Sequence, residues 1–296
     1  MTRRFGSRRS APPKNTEADA NDRAIGAILV AAGRIDRKAV DTILRARREG
    51  QASFAQAGLR LGLLTQDDID FAHAQQFDSP HLPAGDERVS PEVVAAFQTA
   101  SPVVDQLRVL RNQLMVRWWN AGPGRRALAI TGSGRHEGRS FIASNLAVLF
   151  AQIGARTLLM DADLRHRCQA AQFKLEGRPG LSNILAGRAD VNDVVASVTT
   201  NLSVLPAGVA PPDPHELLSR PAFANLLSSL HSRFDLMLID TPAAHGCADT
   251  FTIATSVGAA LVVARKDVTS ATDLLRFARA LQETGAQLLG SVLNDV

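Results

Sequence analysis

Residues 127–152 read ALAITGSGRHEGRSFIASNLAVLFAQ: an apolar run from Ala127 to Thr131, a turn carrying Gly132, Gly134 and Gly138, and a helical stretch from Phe141. Strand, glycine-rich turn and helix, in that order, predict a phosphate cradle. Backbone N–H groups in such a turn and at the helix N-terminus form a concave set of donors, and the helix dipole adds favourable potential for an anion. Against the pattern GxxxxGK[ST], the first glycine is Ser133 and the lysine is Arg139, while Ser140 supplies the hydroxyl that would hold magnesium.

Two further strands extend the reading, because magnesium bound to a nucleotide needs hard oxygen ligands near the phosphates. Leu158-Leu159-Met160-Asp161-Ala162-Asp163 ends the strand after the loop's helix in two carboxylates, and Leu236-Met237-Leu238-Ile239-Asp240-Thr241-Pro242 ends a later strand in another. Each aspartate alone would suit a loop cap. The three signals together, in this order, predict a nucleotide site.

From Ser101 onward short apolar runs alternate with helical stretches: ALAIT at 127, TLLMDAD at 157, LSVLP at 202, LMLID at 236, ALVVA at 260 and LLGSVLN at 288. Such runs are apolar on both faces, which predicts a doubly wound, mostly parallel α/β sheet covered on both sides. Ligands in these sheets sit at the carboxyl ends of the strands. The loop and all three aspartates fall there.

Upstream, residues 1–21 are polar, charged and poor in large apolar side chains, and read as a disordered basic arm. Residues 22–77 read as a small helical domain with an internal repeat, since the pattern from Ile25 recurs 29 positions later: Gly33 matches Gly62, Asp36 matches Thr65 and Val40 matches Ile69. Each copy predicts a helix ending at the glycine and a second helix capped by Asp or Thr. Residues 78–100 carry three prolines and read as a linker, leaving 101–296 for the nucleotide-binding domain.

With 45% hydrophobic and 21% charged residues the chain can bury a large core plus a small module. No apolar run is long enough to span a bilayer and the N-terminus lacks the apolar segment of a secretory signal, so the reading is cytoplasmic. The net charge of +4 comes largely from arginines in the first ten residues and scattered positions. That is a basic tail, not a basic face, and no nucleic-acid partner is expected. Cys168 and Cys247 lack the spacing of a zinc or disulfide motif.

The segments SPVVDQLRVLRNQL, ITGSGRHEGRSFIASNLA, TLLMDADLRHR, GLSNILAGRADVNDVV, LSVLPAGVAPPDPHELLSRPAFANLL, FDLMLIDTPA and LLGSVLNDV resemble the cytoplasmic bacterial tyrosine kinases of capsule and exopolysaccharide synthesis. These P-loop proteins are related to the deviant Walker ATPases of the Min and Par type. The resemblance implies ATP or ADP with magnesium as ligands. It places Ser133, Gly134, Arg135, His136, Glu137, Gly138, Arg139, Ser140 and Phe141 around the nucleotide, with Asn294 at adenine. It implies Ser140, Asp161 and Asp240 as magnesium ligands, Asp163 as the base and Arg139 as the phosphate cation. It also implies that Asp105, Arg108 and Arg111, spaced three apart on one helix face, form a contact between subunits of a ring. The N-terminal repeat resembles the small domain of type II secretion and pilus ATPases, some of which bind cyclic di-GMP through an Arg-Leu-Gly opening. Here the openings read Ala24-Ile25-Gly26 and Ser53-Phe54-Ala55.

Three departures shape the functional expectation. Ser133 stands where Min and Par proteins carry a signature lysine, which favours the kinase branch. Arg139 replaces a compact point charge by a larger planar fork, which should slow transfer more than binding. The 296 residues contain no tyrosine, so tyrosine autophosphorylation is expected to be absent. The expectation is an ATP-binding regulator, kinase-like or weakly ATPase, held at the inner membrane by a chain-length or polysaccharide co-polymerase protein and able to form a homo-oligomer. Its alternatives are an active kinase acting on a partner and a Min- or Par-like positioning ATPase.

Overall fold

The computed structural model describes residues 16–50, 53–66, 68–69, 71–72, 82, 86–98, 101–122 and 124–295. The chain divides into two compact units, residues 1–79 and 80–296. The expected basic arm lies largely outside the described residues. Its last positions, from Thr16, already belong to the helix Thr16–Ala31.

In the first unit both repeat copies close their leading helix at a left-handed glycine, Gly33 at φ 69° and Gly62 at φ 65°, a conformation that side chains with a Cβ resist. The paired caps then work as the pattern predicts. Asp36 Oδ1 accepts the Ala39 N–H at 2.7 Å to start the helix Arg37–Gly50, and Thr65 Oγ1 accepts the Asp68 N–H at 3.2 Å. At the opening of the second copy Ser53 forms a capping box with Gln56 at the start of the helix Phe54–Arg60. Ile25, Leu29, Ile43, Phe54, Leu64 and Ile69 make the core, and an Arg34–Asp68 ion pair of 2.9 Å joins the copies.

The second unit is a seven-stranded sheet in the order β3-β4-β2-β5-β1-β6-β7. The strands are β1 (Ala127–Thr131), β2 (Thr157–Asp161), β3 (Ala196–Thr199), β4 (Leu202–Leu205), β5 (Leu236–Asp240), β6 (Ala259–Arg265) and β7 (Gln287–Asn294). All neighbours run parallel except β3, an edge strand antiparallel to β4 that its half-exposed sequence ASVT did not announce. β1, β2 and β5 are buried along their whole length, as runs apolar on both faces require. β7 departs from that expectation. It is the opposite edge and leaves Leu293 66% exposed.

Each face of the sheet carries its own apolar layer, one built on the helix Arg139–Gln152 and one on helices that include Pro221–Leu230 and Ala271–Glu283. The segment read as a linker is in part core. Val89, Val93, Ala95 and Ala96 are buried in the first layer, and the Ala95 N–H donates to Asn145 Oδ1 at 2.8 Å. Three prolines suggest a spacer, yet the apolar VVAAF at 93–97, just after the last of them, contributes to this layer. Among the described residues no helix is long and apolar enough to cross a membrane.

Candidate nucleotide site

The site forms at the carboxyl edge because β1 lies between β5 and β6, and β5 in turn lies beside β2. The turn after β1 winds through His136 at φ 58° and Gly138 at φ 94°, then becomes the helix Arg139–Gln152 with Gly138 as its N-cap. Glycine at 138 answers two demands, the left-handed backbone and a close neighbour. A Cβ there would come within 2.2 Å of Asn294 Nδ2.

Parallel pairing puts Asp161 directly opposite Asp240 in the register of β2 and β5. Both are fully buried. Asp161 accepts the backbone N–H groups of Asp163 at 3.2 Å and Gln169 at 3.1 Å. Asp240 accepts the Gln169 side-chain amide at 2.7 Å on Oδ2, whereas its Oδ1 has no partner. Burial, and next the charge of Asp240, holds the Asp161 carboxyl well above the usual range. Burial also pushes Asp240 up to about 6. Two buried carboxylates side by side with an orphaned oxygen form a set that a hard cation would satisfy. Gln169 Oε1, also buried and without a partner, adds another hard oxygen. Among the described residues no group of three His, Cys, Asp or Glu side chains forms an all-protein cage. Ser140 with two carboxylates suits magnesium that completes its shell on phosphate oxygens.

The loop's own charges meet each other instead. Glu137 is 1% exposed and Arg139 9% exposed. Glu137 Oε1 accepts the hydroxyls of Ser133 at 3.0 Å and Thr269 at 2.7 Å, and Oε2 lies 3.4 Å from Arg139 Nη1. The Arg139 guanidinium also donates to the Gly134 carbonyl and, through Nε, to the Thr241 carbonyl at 3.2 Å. The cation expected to face the phosphates is therefore folded into the loop that would hold them.

Above this floor lies a cavity of about 390 Å³, lined by Arg135, His136, Glu137, Gly138, Arg139, Ser140, Phe141 and Asp163 among others. Ser133 and Gly134 instead line a second cavity of about 450 Å³ across the loop. Asn294 lines neither. Its amide donates to the Glu137 carbonyl at 3.1 Å and braces the turn. Asp163 is fixed by accepting the backbone N–H groups of Arg165 at 3.0 Å and His166 at 2.8 Å. The three residues of the expected subunit contact sit on the helix Pro102–Arg117. There Arg108 pairs with Asp105 at 2.8 Å, and Arg111 turns onto the Leu149 carbonyl at 3.2 Å.

The sequence reading missed Gln169, which ties Asp161, Asp240 and the Ser140 carbonyl into one network. It also missed Arg165 and Asp249. A signal existed only for Arg165, which follows Asp163 by two residues at the same strand end.

Comparison with known proteins reaches the same edge of the sheet. A family described as an AAA domain matches residues 134–289. The putative tyrosine-protein kinase CapB of Staphylococcus aureus is 31% identical over 197 residues, 66% of this chain and 86% of CapB. The chain belongs to the bacterial tyrosine-kinase family of P-loop proteins. The tyrosine-protein kinase ptk of Acinetobacter johnsonii is 35% identical over 170 residues, covering 57% of this chain and 23% of ptk. The kinase domain of the Escherichia coli tyrosine kinase ETK superposes with a TM-score of 0.67 at 29% identity, over 74% of this chain and 86% of that domain. Like ptk, several curated relatives are matched over only about a quarter of their length.

Proposed function

We propose that this member of the family binds ATP or ADP with magnesium in the 390 Å³ cavity and acts as a nucleotide-dependent switch with weak phosphotransfer. The role fitted to it is regulation of capsule or exopolysaccharide polymerisation and export, in the cytoplasm beside a membrane chain-length or co-polymerase protein. The observation that carries this reading is the Arg139 guanidinium, engaged by Glu137 and by the Gly134 and Thr241 carbonyls. Phosphoryl transfer depends on positioning and on cations that neutralise charge at the transferred group. A site whose loop cation is already neutralised keeps its backbone donors and loses much of that clamp.

The residues divide the work accordingly. Backbone N–H groups from Gly134 to Ser140 hold the phosphates, and the Ser140 hydroxyl with Asp161 and Asp240 holds magnesium. Magnesium held there would supply neutralisation of phosphate charge. Asp163, at the cavity wall with its carboxylate fixed, would take the proton of an acceptor hydroxyl. Asp105, Arg108 and Arg111 would contribute to a homo-oligomer.

The position of Asp163 favours one second reading, an active kinase that phosphorylates a partner. Incubating the protein with labelled ATP and magnesium, with and without the cytoplasmic tail of a chain-length protein, separates the two. The switch reading expects bound nucleotide and little label on either chain. Rapid labelling of the tail would establish the kinase reading in its place.

A further inference from the structure

Arg139 is engaged inside the loop, and a second arginine, at the end of β2, lines the same cavity. Arg165 lines the same cavity as Arg139, Ser140 and Asp163. Its Nε lies 3.1 Å from Asp249 Oδ2, and that carboxylate is 2% exposed while the arginine side chain remains 41% exposed. The other oxygen of Asp249 is 3.1 Å from His215 Nδ1. His215 belongs to the segment PPDPHELL, whose short helix Pro214–Ser219 is capped by Asp213. That segment, conspicuous in the sequence and otherwise without a task at the site, thus helps to hold the carboxylate that anchors Arg165.

The geometry suits phosphate capture. An arginine offers five N–H donors in a planar fork, and anchoring Nε on a buried carboxylate orients the plane without using the others. Burial of Asp249 makes the anchor firm, because an unpaired carboxylate there would be costly. We propose that Arg165, held by Asp249, is the side chain that contacts the terminal phosphate of a bound nucleoside triphosphate. This rests on the nucleotide reading above and deepens it.

A cation on the terminal phosphate discriminates triphosphate from diphosphate, whereas loss of a merely structural ion pair weakens both alike. The test is calorimetric titration of the full chain with ATP and, separately, ADP, each with magnesium, together with thermal melting of every variant. Arg165→Ala should weaken ATP at least about tenfold more than ADP. Arg165→Lys, which keeps a cation, should recover part of that ratio, and Asp249→Asn should reproduce part of the loss. If Arg165→Ala melts early, Arg165→Gln carries the same comparison in a side chain of closer size. An unchanged ATP to ADP ratio in the folded variants overturns the assignment of Arg165 while leaving nucleotide binding intact. A wild-type chain that binds neither nucleotide overturns the nucleotide reading, and this proposal with it.

Discussion

Two charged clusters meet at the carboxyl edge of the sheet, and they are finished differently. The loop cluster is closed on itself, with Glu137 and Arg139 taking up each other and the surrounding hydroxyls and carbonyls. The strand-end cluster is left open, with Asp161 and Asp240 side by side, their pKa values raised and one oxygen orphaned. The same buried environment thus holds one neutralised pair and one uncompensated pair. An uncompensated buried pair is costly to a fold, and it persists where a ligand is to complete it. The contrast shows that a carboxylate pair fit for a hard cation can stand beside a loop whose own cation has been diverted.

The largest effect should come from opening the closed cluster. Glu137→Ala leaves the Arg139 guanidinium buried without its carboxylate, and breaking such a pair costs about 3–5 kcal/mol. Urea unfolding of the second unit should report it, and an unchanged midpoint would mean that the backbone carbonyls alone satisfy Arg139. The open cluster should respond with the opposite sign. A carboxyl raised from 3.8 to about 6 binds more protons folded than unfolded, so its contribution to stability falls as pH rises from about 4 to about 6 and is then flat. In the absence of magnesium and nucleotide, Asp240→Asn should therefore stabilise the protein by about 3 kcal/mol at pH 7.5, the gain vanishing near pH 4. Parallel melting curves across that range check both the sign and the window.

Completion by ligand gives the next test. Asp161→Ala should lower magnesium-dependent ATP affinity by about a hundredfold, or about 2.7 kcal/mol, in titrations with and without a chelator. Equal affinity with and without magnesium in the wild type would show that the carboxylates are not waiting for a cation. The smallest effect belongs to the tie between the strands. Gln169→Leu removes the donor to Asp240 Oδ2 and should cost about 1–2 kcal/mol of ligand-free stability, read from the same unfolding curves.

How much of this was legible depends on the range of the interaction. The parallel sheet, the turn after β1 and the aspartates at the strand ends are written locally, as apolar runs that stop at a glycine or a carboxylate. The repeat was equally plain, because its glycines and caps recur at a fixed spacing. The inward turn of Arg139 was not legible, since it depends on Thr241, 102 residues away in sequence. Nor was the Arg165–Asp249 pair, 84 residues apart, nor Gln169, whose partner Asp240 is 71 away. Residues 86–98 were misjudged because prolines advertise a linker more loudly than a five-residue apolar run advertises burial.

Arg139→Lys tests the central claim most directly, by ATP turnover and ATP affinity measured on the same preparation. A lysine is shorter in reach for Glu137 and acts as a point charge toward phosphate. Turnover should rise at least about tenfold with affinity changed by less than about threefold. Turnover that stays at the wild-type level with affinity intact would contradict the claim that diversion of the loop cation is what damps the site.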